Sequence, residues 1–377
     1  MKKIIYIHDL QFYRVGSSFF TSSNLPEKYF DRFFDAENCQ VEVFSRLITL
    51  NSISELPKGF EKINNPRLSL AAISPSKYMH IFNPFFIIMF LRNLKDKDVI
   101  VANIPSILGM FTLIVNLLIR KKYSVEVAAD YDQFSSKRGG NLVSLMMKPL
   151  MLFFVSRAIG ASYVSNYLKN KFHCRGECLI SSNVNIDNVS ERNYSYREGV
   201  AEISFIGGLN ERKGLLNLLE AISFLKNMVD KEIILNIVGG HEDRDWEAVV
   251  EKLDLSDRIR FHGILKKEQV MYILEGSDIY VQPSLTEGIP RATLEAMSKG
   301  LPVIATKLPG FFEILDKDVL VSPNSSEELT NKIKELIGDK DKLLFYSQKN
   351  KNKAKEFTYN RLHNLRKTFY QKILSKI

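Results

Sequence analysis

Two glutamates, Glu287 and Glu295, stand eight positions apart on either side of a predicted helix start. The apolar, β-branched run 279–284 before them predicts a strand, and Glu287-Gly288 indicates the loop that follows it. Pro290 suits a first helical position, where its missing N–H costs nothing. Ligands of open α/β sheets bind beyond the carboxyl ends of strands, and a helix start offers free N–H groups to an anion such as a diphosphate. This segment is therefore a candidate anion site.

The two carboxylates beside that site only accept hydrogen bonds, which suits them to the vicinal hydroxyls of sugars. One glutamate would serve a sugar at the loop, and the other would serve a ribose from the helix. The alternative interpretation is structural, with one acid near a helix start and the other facing solvent.

A second strand, glycine turn and helix occupy residues 203–214. Gly207 and Gly208 let backbone approach a phosphate closely, and Lys213 supplies a cation. A tight turn would also explain the two glycines. We interpret the similar turn at Gly239-Gly240 as structural only.

Strands and helices alternate along the whole chain, which predicts parallel sheets with right-handed crossovers. In the first half the predicted strands are 3–8, 41–44, 99–102, 124–128 and 161–165, with helices at 105–118 and 141–158. In the second half the strands are 202–206, 233–238, 259–261, 279–282 and 302–305, with helices at 214–226, 246–252, 267–274, 291–298 and 327–337.

The domain organisation follows from one polar segment without periodicity, 186–200, which is predicted to be a linker. It separates a first Rossmann-like domain, 1–185, from a second one, 201–357. Residues 358–377 are predicted to be a helix that packs back on the first domain. Such packing would bury an apolar stripe of Phe357, Leu362, Leu365, Phe369 and Ile373.

Composition excludes several classes of protein. The chain has 377 residues, 45% hydrophobic and 25% charged, which indicates a globular protein of two domains. Its three cysteines, Cys39, Cys174 and Cys178, fit neither a disulfide framework nor a zinc site and favour a reducing cytoplasm. Its apolar runs, such as 81–91 and 142–155, are shorter or more interrupted than the ~18–20 residues of a membrane span.

The net charge of +9 suits nucleic acid, anionic lipid or phosphorylated small molecules. The sequence has no Arg-rich tail, no zinc-finger spacing and no RNA-binding aromatic signature, so we expect no nucleic-acid partner.

These elements, in their order and spacing, resemble glycosyltransferase family four, the retaining enzymes of GT-B fold also described as glycosyl transferases group 1. The resemblance covers 201–357 and includes Arg260-Phe261-His262-Gly263, Gly300-Leu301-Pro302 and Pro309-Gly310. It implies an α/β fold of two Rossmann-like parallel-sheet domains with an interdomain cleft. It also implies that Glu287 contacts the donor sugar, Glu295 the ribose hydroxyls and Lys213 the diphosphate. The implied donor-binding residues are Gly16, Gly207, Gly208, Arg212, Lys213, Gly263, Glu287, Gly288, Ile289, Arg291 and Glu295.

The sequence departs from the family pattern at two positions. Gly208 stands where the family usually has an arginine, so Arg212 or Arg291 is expected to replace that phosphate contact. A cleft histidine is absent after strand 124–128, and Asp130 is the expected polar contact to the sugar. Catalysis is thus assigned to Glu287, Lys213 and Asp130. Asp130-Tyr131-Asp132 also reads as Asp-x-Asp, a metal motif of another glycosyltransferase fold, but the resemblance implies a metal-independent enzyme without a cofactor.

The resulting hypothesis is a retaining hexosyltransferase that moves a sugar from a nucleoside diphosphate to an acceptor hydroxyl. Many relatives build bacterial surface polysaccharide, such as capsule, O-antigen or lipopolysaccharide, so a glycan or lipid-linked acceptor is expected. The alternatives are a non-catalytic partner subunit of the same fold and a sugar-nucleotide epimerase. The basic, amphipathic segments 78–94 and 142–157 predict a cytoplasmic protein held peripherally on the inner face of the cell membrane. Ordinary buried helices are the other interpretation of those segments.

Overall fold

The structure is a computed structural model that describes residues 1–22, 25–130, 140–191, 194–241 and 243–377, with only the backbone described for 140–145. The chain divides into two compact units, 1–183 with 363–377, and 184–362. The segment 186–200, predicted as a linker, belongs to the second unit, where Ile186 is buried and pairs with Thr358. Residues 192 and 193 of that segment lie outside the described residues.

The first unit is built on a mostly parallel sheet in which the order is β5-β3-β1-β6-β7-β8-β9. Strands β2 and β4 extend it antiparallel from the end of β1. The strands are β1 Lys2–Val15, β2 Ser18–Ser22, β3 Cys39–Leu50, β4 Phe60–Lys62, β5 Leu68–Leu70, β6 Val99–Ile104, β7 Tyr123–Val127, β8 Gly160–Tyr163 and β9 Glu177–Ile180.

Strand β1 is longer than the predicted 3–8. Its register against β3 shifts between Ile7 and Gln11, and the strand then continues to Val15. There it turns back into β2, with Gly16 in the hairpin turn at φ +57°. Gly16 therefore lies in an antiparallel hairpin and not in a strand-to-helix turn.

Helices cover both faces of this sheet. The buried sides of α2, α3 and α4 share one core with residues of β1, β6, β7 and β8. A second core on other side chains of β1 and β6 includes α1 and the C-terminal helix α13, through Phe369, Tyr370 and Ile373. Two members of the predicted apolar stripe differ from the prediction: Leu365 is exposed, and Phe357 packs in the core of the second unit. The helices are α1 Asp31–Phe34, α2 Pro84–Lys95, α3 Ile107–Asn116, α4 Gly140–Arg157, α5 Asn166–Lys171 and, at the C-terminus, α13 Tyr359–Ser375.

The second unit has a six-stranded, wholly parallel sheet in the order β12-β11-β10-β13-β14-β15. Its strands are β10 Val200–Ile206, β11 Glu232–Val238, β12 Ile259–Phe261, β13 Ile279–Gln282, β14 Val303–Thr306 and β15 Leu320–Val321. Its helices are α6 Leu215–Leu225, α7 Trp246–Lys252, α8 Lys267–Glu275, α9 Arg291–Ser298, α10 Pro309–Phe312, α11 Ser326–Ile337 and α12 Lys340–Ala354.

In the described part of the chain, no helix is long and apolar enough to cross a membrane.

Candidate active site

The site in the second unit lies where the strand order reverses. From β10 the chain proceeds outward through β11 and β12, and from β13 it proceeds the other way through β14 and β15. The connections leaving the carboxyl ends of β10 and β13 therefore diverge and leave a crevice between them, the usual ligand position in such sheets. Gly207 follows β10, and the loop 283–290 follows β13.

Lys213 is held at this crevice by a short turn. Glu211–Lys213 form a 3-10 turn, and the Asn210 side-chain oxygen accepts a hydrogen bond from Lys213 N at 3.1 Å. Gly214 then adopts φ +72°, and a Cβ there would lie 1.9 Å from the Pro283 carbonyl oxygen. Only glycine fits, so the lysine-bearing turn packs directly on the end of β13.

The Lys213 ammonium pairs with the Glu287 carboxylate of the neighbouring loop, and both side chains are largely buried. Arg212 Nη1 lies 3.7 Å from the same carboxylate and donates to the Thr286 carbonyl at 3.3 Å. Leu285 N donates to the Arg212 carbonyl at 2.8 Å. The two connections thus meet in one cluster of two cations and one carboxylate.

The loop is braced from its other side by α10. A Cβ on Gly310 would lie 2.0 Å from the Gly288 carbonyl oxygen, so that position also requires glycine. Thr306 Oγ1 donates to the Ser284 carbonyl at 2.6 Å. Gly288 itself borders open space, and Ile289 packs against the core. The loop is therefore fixed by backbone contacts while one side of it stays accessible.

Glu295 projects from α9 and is half-buried. Burial raises the pKa of its carboxyl above the usual value, although Arg291 and Lys267 act in the opposite direction. Among the described residues, its carboxylate makes no hydrogen bond or ion pair. Glu295 and Glu287 both help raise the pKa of the Tyr280 hydroxyl, which burial raises most. Both glutamates therefore lie near enough to Tyr280, the second residue of β13, to affect its hydroxyl electrostatically.

The two arginines expected to replace the phosphate contact differ in position. Arg212 lies on the loop beside Glu287, as described above. Arg291, the first residue of α9, is exposed and its Nη1 donates to the Asn185 carbonyl at 3.4 Å. The structure places Arg212 and Lys213 beside the Glu287 carboxylate, whereas the Arg291 side chain bonds to the Asn185 carbonyl.

Gly208 and Gly263 complete the predicted set in this unit. The Gly208 carbonyl accepts from Asn210 N at 3.0 Å. Gly263 has φ +63°, borders open space and accepts from Gly239 N at 2.9 Å.

In the first unit, Asp130 follows β7 and is buried. Its Oδ2 accepts from the Tyr167 hydroxyl at 2.8 Å and pairs with the Lys171 ammonium. Tyr131 and Asp132 of the Asp-x-Asp triplet lie outside the described residues. In the part of the chain that is described, no group of three or more His, Cys, Asp or Glu side chains is placed to hold a metal ion.

The sequence did not predict which group occupies the switch point of the first unit. The strand order there reverses between β1 and β6, and α3 begins just beyond β6. The Asp9 carboxylate accepts from Ile107 N at 2.8 Å and Leu108 N at 2.9 Å. A carboxylate of the chain itself therefore occupies the positive end of α3. No local sequence pattern predicts this contact, because almost 100 residues separate its partners.

Two α/β units, each built on a largely parallel sheet with one switch point, give this chain the GT-B fold, and the comparisons with known proteins agree. Residues 190–357, most of the second unit, match the family described as glycosyl transferases group 1. Protein CapJ of Staphylococcus aureus is 26% identical over 348 residues, which is 89% of this chain and 86% of CapJ.

Two solved structures share the fold over their whole length. The lipopolysaccharide outer core galactosyltransferase WaaB, in its apo form, has a TM-score of 0.69 at 15% identity, with 100% of both chains covered. HepE of Anabaena in complex with UDP has a TM-score of 0.65 at 17% identity, again with 100% of both chains covered. The prediction of a GT-B fold with Rossmann-like parallel-sheet domains is confirmed.

Proposed function

We propose that this protein transfers a sugar from a nucleoside diphosphate to an acceptor hydroxyl, with retention of configuration and without a metal ion. The observation that carries the proposal is the cluster of Lys213, Arg212 and Glu287 at the switch point of the second unit. Two cations beside one carboxylate carry an excess positive charge, which suits a diphosphate. The carboxylate is an acceptor for the hydroxyls of the attached sugar.

The start of α9 supports the same placement of the diphosphate. In the described residues no side chain caps this helix, as is also true of α6 and α10, whereas Asp245, Ser325 and Asp339 cap α7, α11 and α12. The first N–H groups of α9 are therefore available to an anion. With Lys213 and Arg212, they would supply the positive charge that a metal ion supplies in other enzymes.

In this proposal the two glutamates bind different parts of the donor. Glu287 contacts the sugar and exchanges its pairing with Lys213 for hydroxyl contacts when a diphosphate binds. Glu295, half-buried and unpaired among the described side chains, accepts from the ribose hydroxyls. Stabilising the departing diphosphate is electrostatic work, which preorganised cations and N–H groups perform without reorganisation. Retention would proceed by attack on the same face from which the diphosphate leaves. Asp130 stays a predicted contact to the sugar.

The substrate class is proposed from the relatives. HepE was solved with UDP, which supports a nucleoside-diphosphate donor. WaaB is a lipopolysaccharide outer core galactosyltransferase, which supports an acceptor in bacterial surface polysaccharide, as a glycan or a lipid-linked carrier. Such carriers lie in the membrane, so we also propose a cytoplasmic protein that attaches peripherally to the inner face of the cell membrane.

A donor screen followed by a turnover assay tests the proposal. Thermal-shift measurements with UDP, GDP and ADP and their sugars identify the nucleotide. Turnover is then measured with a lipid and glycan extract as acceptor, and NMR of the product reports the configuration at the anomeric carbon.

Turnover that survives excess EDTA is expected. Loss with EDTA that is restored by manganese or magnesium would contradict the metal-independent site. A nucleotide that binds without turnover would indicate a non-catalytic subunit, and a donor sugar that changes without any acceptor would indicate an epimerase. Inversion at the anomeric carbon would refute the retaining reaction.

A further inference from the structure

In the first unit, α2, α3 and α4 and the turns next to them expose ten large apolar side chains. Three of them, Phe82, Phe85 and Leu118, are 70–72% exposed. Large exposed apolar surfaces on monomeric proteins usually mark binding sites. We call this surface the apolar–basic face; its apolar members are Met79, Phe82, Phe85, Ile88, Ile114, Leu117, Leu118, Met146, Leu152 and Phe153.

These side chains belong to one surface because their helices share one core. The inner sides of α2, α3 and α4 all pack into the same apolar cluster on the sheet. The turn Tyr78–Phe82 contacts both α2 and α3, and α2 contacts α3. Lys121 Nζ donates to the Lys95 carbonyl at 2.7 Å and so joins the C-terminal ends of α2 and α3. The opposite sides of the three helices therefore face outward together.

The helices of this face carry cations and almost no acids, and the exposed Asp96 at the end of α2 pairs with Lys3 Nζ at 2.9 Å. Segments 77–95, 106–123 and 140–157 contain no aspartate or glutamate. At the chain's average of 43 acids in 377 residues, these 55 positions would hold about six. The same segments contain eight lysines and arginines: Lys77, Arg92, Lys95, Arg120, Lys121, Lys122, Lys148 and Arg157.

Helix dipoles explain only part of this pattern. Cations near the C-terminal ends of helices are favourable, which accounts for Arg92, Lys95 and Arg157. The dipole gives no reason for the exposed aromatic and aliphatic side chains or for the missing acids. Along α2, Phe85, Ile88, Arg92 and Lys95 recur at helical spacing on one exposed side. A helix with this side outward combines apolar and cationic groups on the same stripe.

We propose that the apolar–basic face docks onto an anionic lipid membrane. Apolar side chains enter the interface between headgroups and acyl chains, and cations attract anionic headgroups. The surface carries both kinds of group and few acids, so it complements such a membrane in both respects. A nucleic acid would use the cations but leave the aliphatic side chains in water. The docking requires neither a donor nor turnover. The vesicle experiment can therefore refute the docking without refuting the proposed reaction.

Flotation with vesicles tests this docking on the full-length protein. Vesicles of equal parts phosphatidylglycerol and phosphatidylcholine are compared with pure phosphatidylcholine, from about 0.05 to about 0.5 M salt. One variant pair reverses charge on the face, Arg92→Glu with Lys95→Glu. Its matched control, Lys58→Glu with Lys252→Glu, makes the same charge change at exposed positions elsewhere. A second pair, Phe82→Ser with Phe85→Ser, has the control Phe224→Ser with Phe345→Ser.

Binding to anionic vesicles that weakens with salt is expected. Reversal of Arg92 and Lys95 should weaken it by at least about 30-fold, since each cation near the surface contributes about 1 kcal/mol. Removing the two phenyl groups should weaken it by at least about tenfold, and both controls should bind like wild type. Calorimetry with the nucleotide found in the donor screen should give unchanged affinity for all four proteins, which shows that they are folded.

Three outcomes would overturn the proposal. One is the absence of binding to anionic vesicles at low salt. Another is binding that both face variants retain, or that is equal on pure phosphatidylcholine and independent of salt. The third is a wild-type oligomer that dissociates in the face variants while vesicle binding is unaffected, because the face would then bind a second copy of the chain.

Discussion

Replacement of Lys213 by alanine is the sharpest test of the site. The Lys213 and Glu287 side chains are only 14% and 17% exposed, so their charges act in a largely water-excluded place. A contact there is worth more than a surface ion pair, which contributes about 0–1 kcal/mol. If Lys213 stabilises the departing diphosphate, its loss should resemble removal of one preorganised donor, which lowers kcat by about 10²–10³.

The structure places the expected loss near the lower end of that range. Arg212 Nη1 lies 3.7 Å from the same carboxylate and remains in the Lys213→Ala variant, so part of the positive charge survives. We therefore expect kcat to fall about 100-fold, or close to 3 kcal/mol in the barrier, with a smaller change in KM. Initial rates of nucleoside diphosphate release, measured across donor concentrations, give both quantities.

The matched control is Lys299→Ala. Lys299 is similarly buried, at 19% side-chain exposure, and pairs with Glu275 at 2.5 Å, but it follows α9 and lies away from the loop. Its loss should leave kcat within about threefold of wild type. The reasoning is refuted if Lys213→Ala turns over within threefold of wild type, or if Lys299→Ala loses as much activity.

Three further predictions concern the nucleotide site and the first unit. Because burial raises the pKa of Glu295, its carboxyl takes up a proton at higher pH than an exposed glutamate. The affinity for the nucleoside diphosphate should thus fall as pH drops from about 8 to about 5. Calorimetry should show that the affinity of Glu295→Gln depends less on pH. Equal pH dependence in wild type and Glu295→Gln would contradict a ribose contact. Arg212→Ala should weaken nucleotide binding about tenfold, the value of one charge-assisted hydrogen bond, whereas Arg291→Ala should change it less than twofold. The reverse ranking would assign the phosphate contact to Arg291. In the first unit, the Tyr370 hydroxyl donates at 2.7 Å to the buried carboxylate of β7, so Tyr370→Phe should lower the free energy of unfolding by about 1.5–3 kcal/mol in urea titrations. Tyr346→Phe is its control, since this hydroxyl makes no hydrogen bond among the described residues; equal losses would show that the buried contact contributes nothing.

That buried carboxylate illustrates what local patterns leave undetermined. Glu126 accepts from the hydroxyls of Tyr6, Tyr29 and Tyr370 and lies 3.4 Å from Arg32. Arg32 and the three hydroxyls lower the pKa of Glu126 despite its burial. Its stabilising contribution is therefore present above the ordinary pKa and is lost as pH falls through the lowered one. In sequence, Glu126 is one acid within an apolar strand, and its partners stand up to 244 positions away.

The sequence by itself indicated ten of the fifteen strands in the described residues, most of the longer helices and three candidate site residues. Each of Lys213, Glu287 and Glu295 belongs to a strand, turn and helix signal shorter than 20 residues, and such signals depend on local periodicity and turn chemistry. For the same reason each predicted strand is present. The sequence did not show that β1 continues to Val15, because a register shift inside a strand leaves no local pattern.

Only the tertiary structure decided which of these pieces meet. The pairing of β10 with β13 brings Lys213 to Glu287 across 74 positions and leaves Arg291 on Asn185. The packing of Gly214 on Pro283 and of Gly310 on Gly288 fixes the loop between them. Contacts between distant segments depend on how strands align in the sheet, and neither periodicity nor turn residues within a segment encode that alignment.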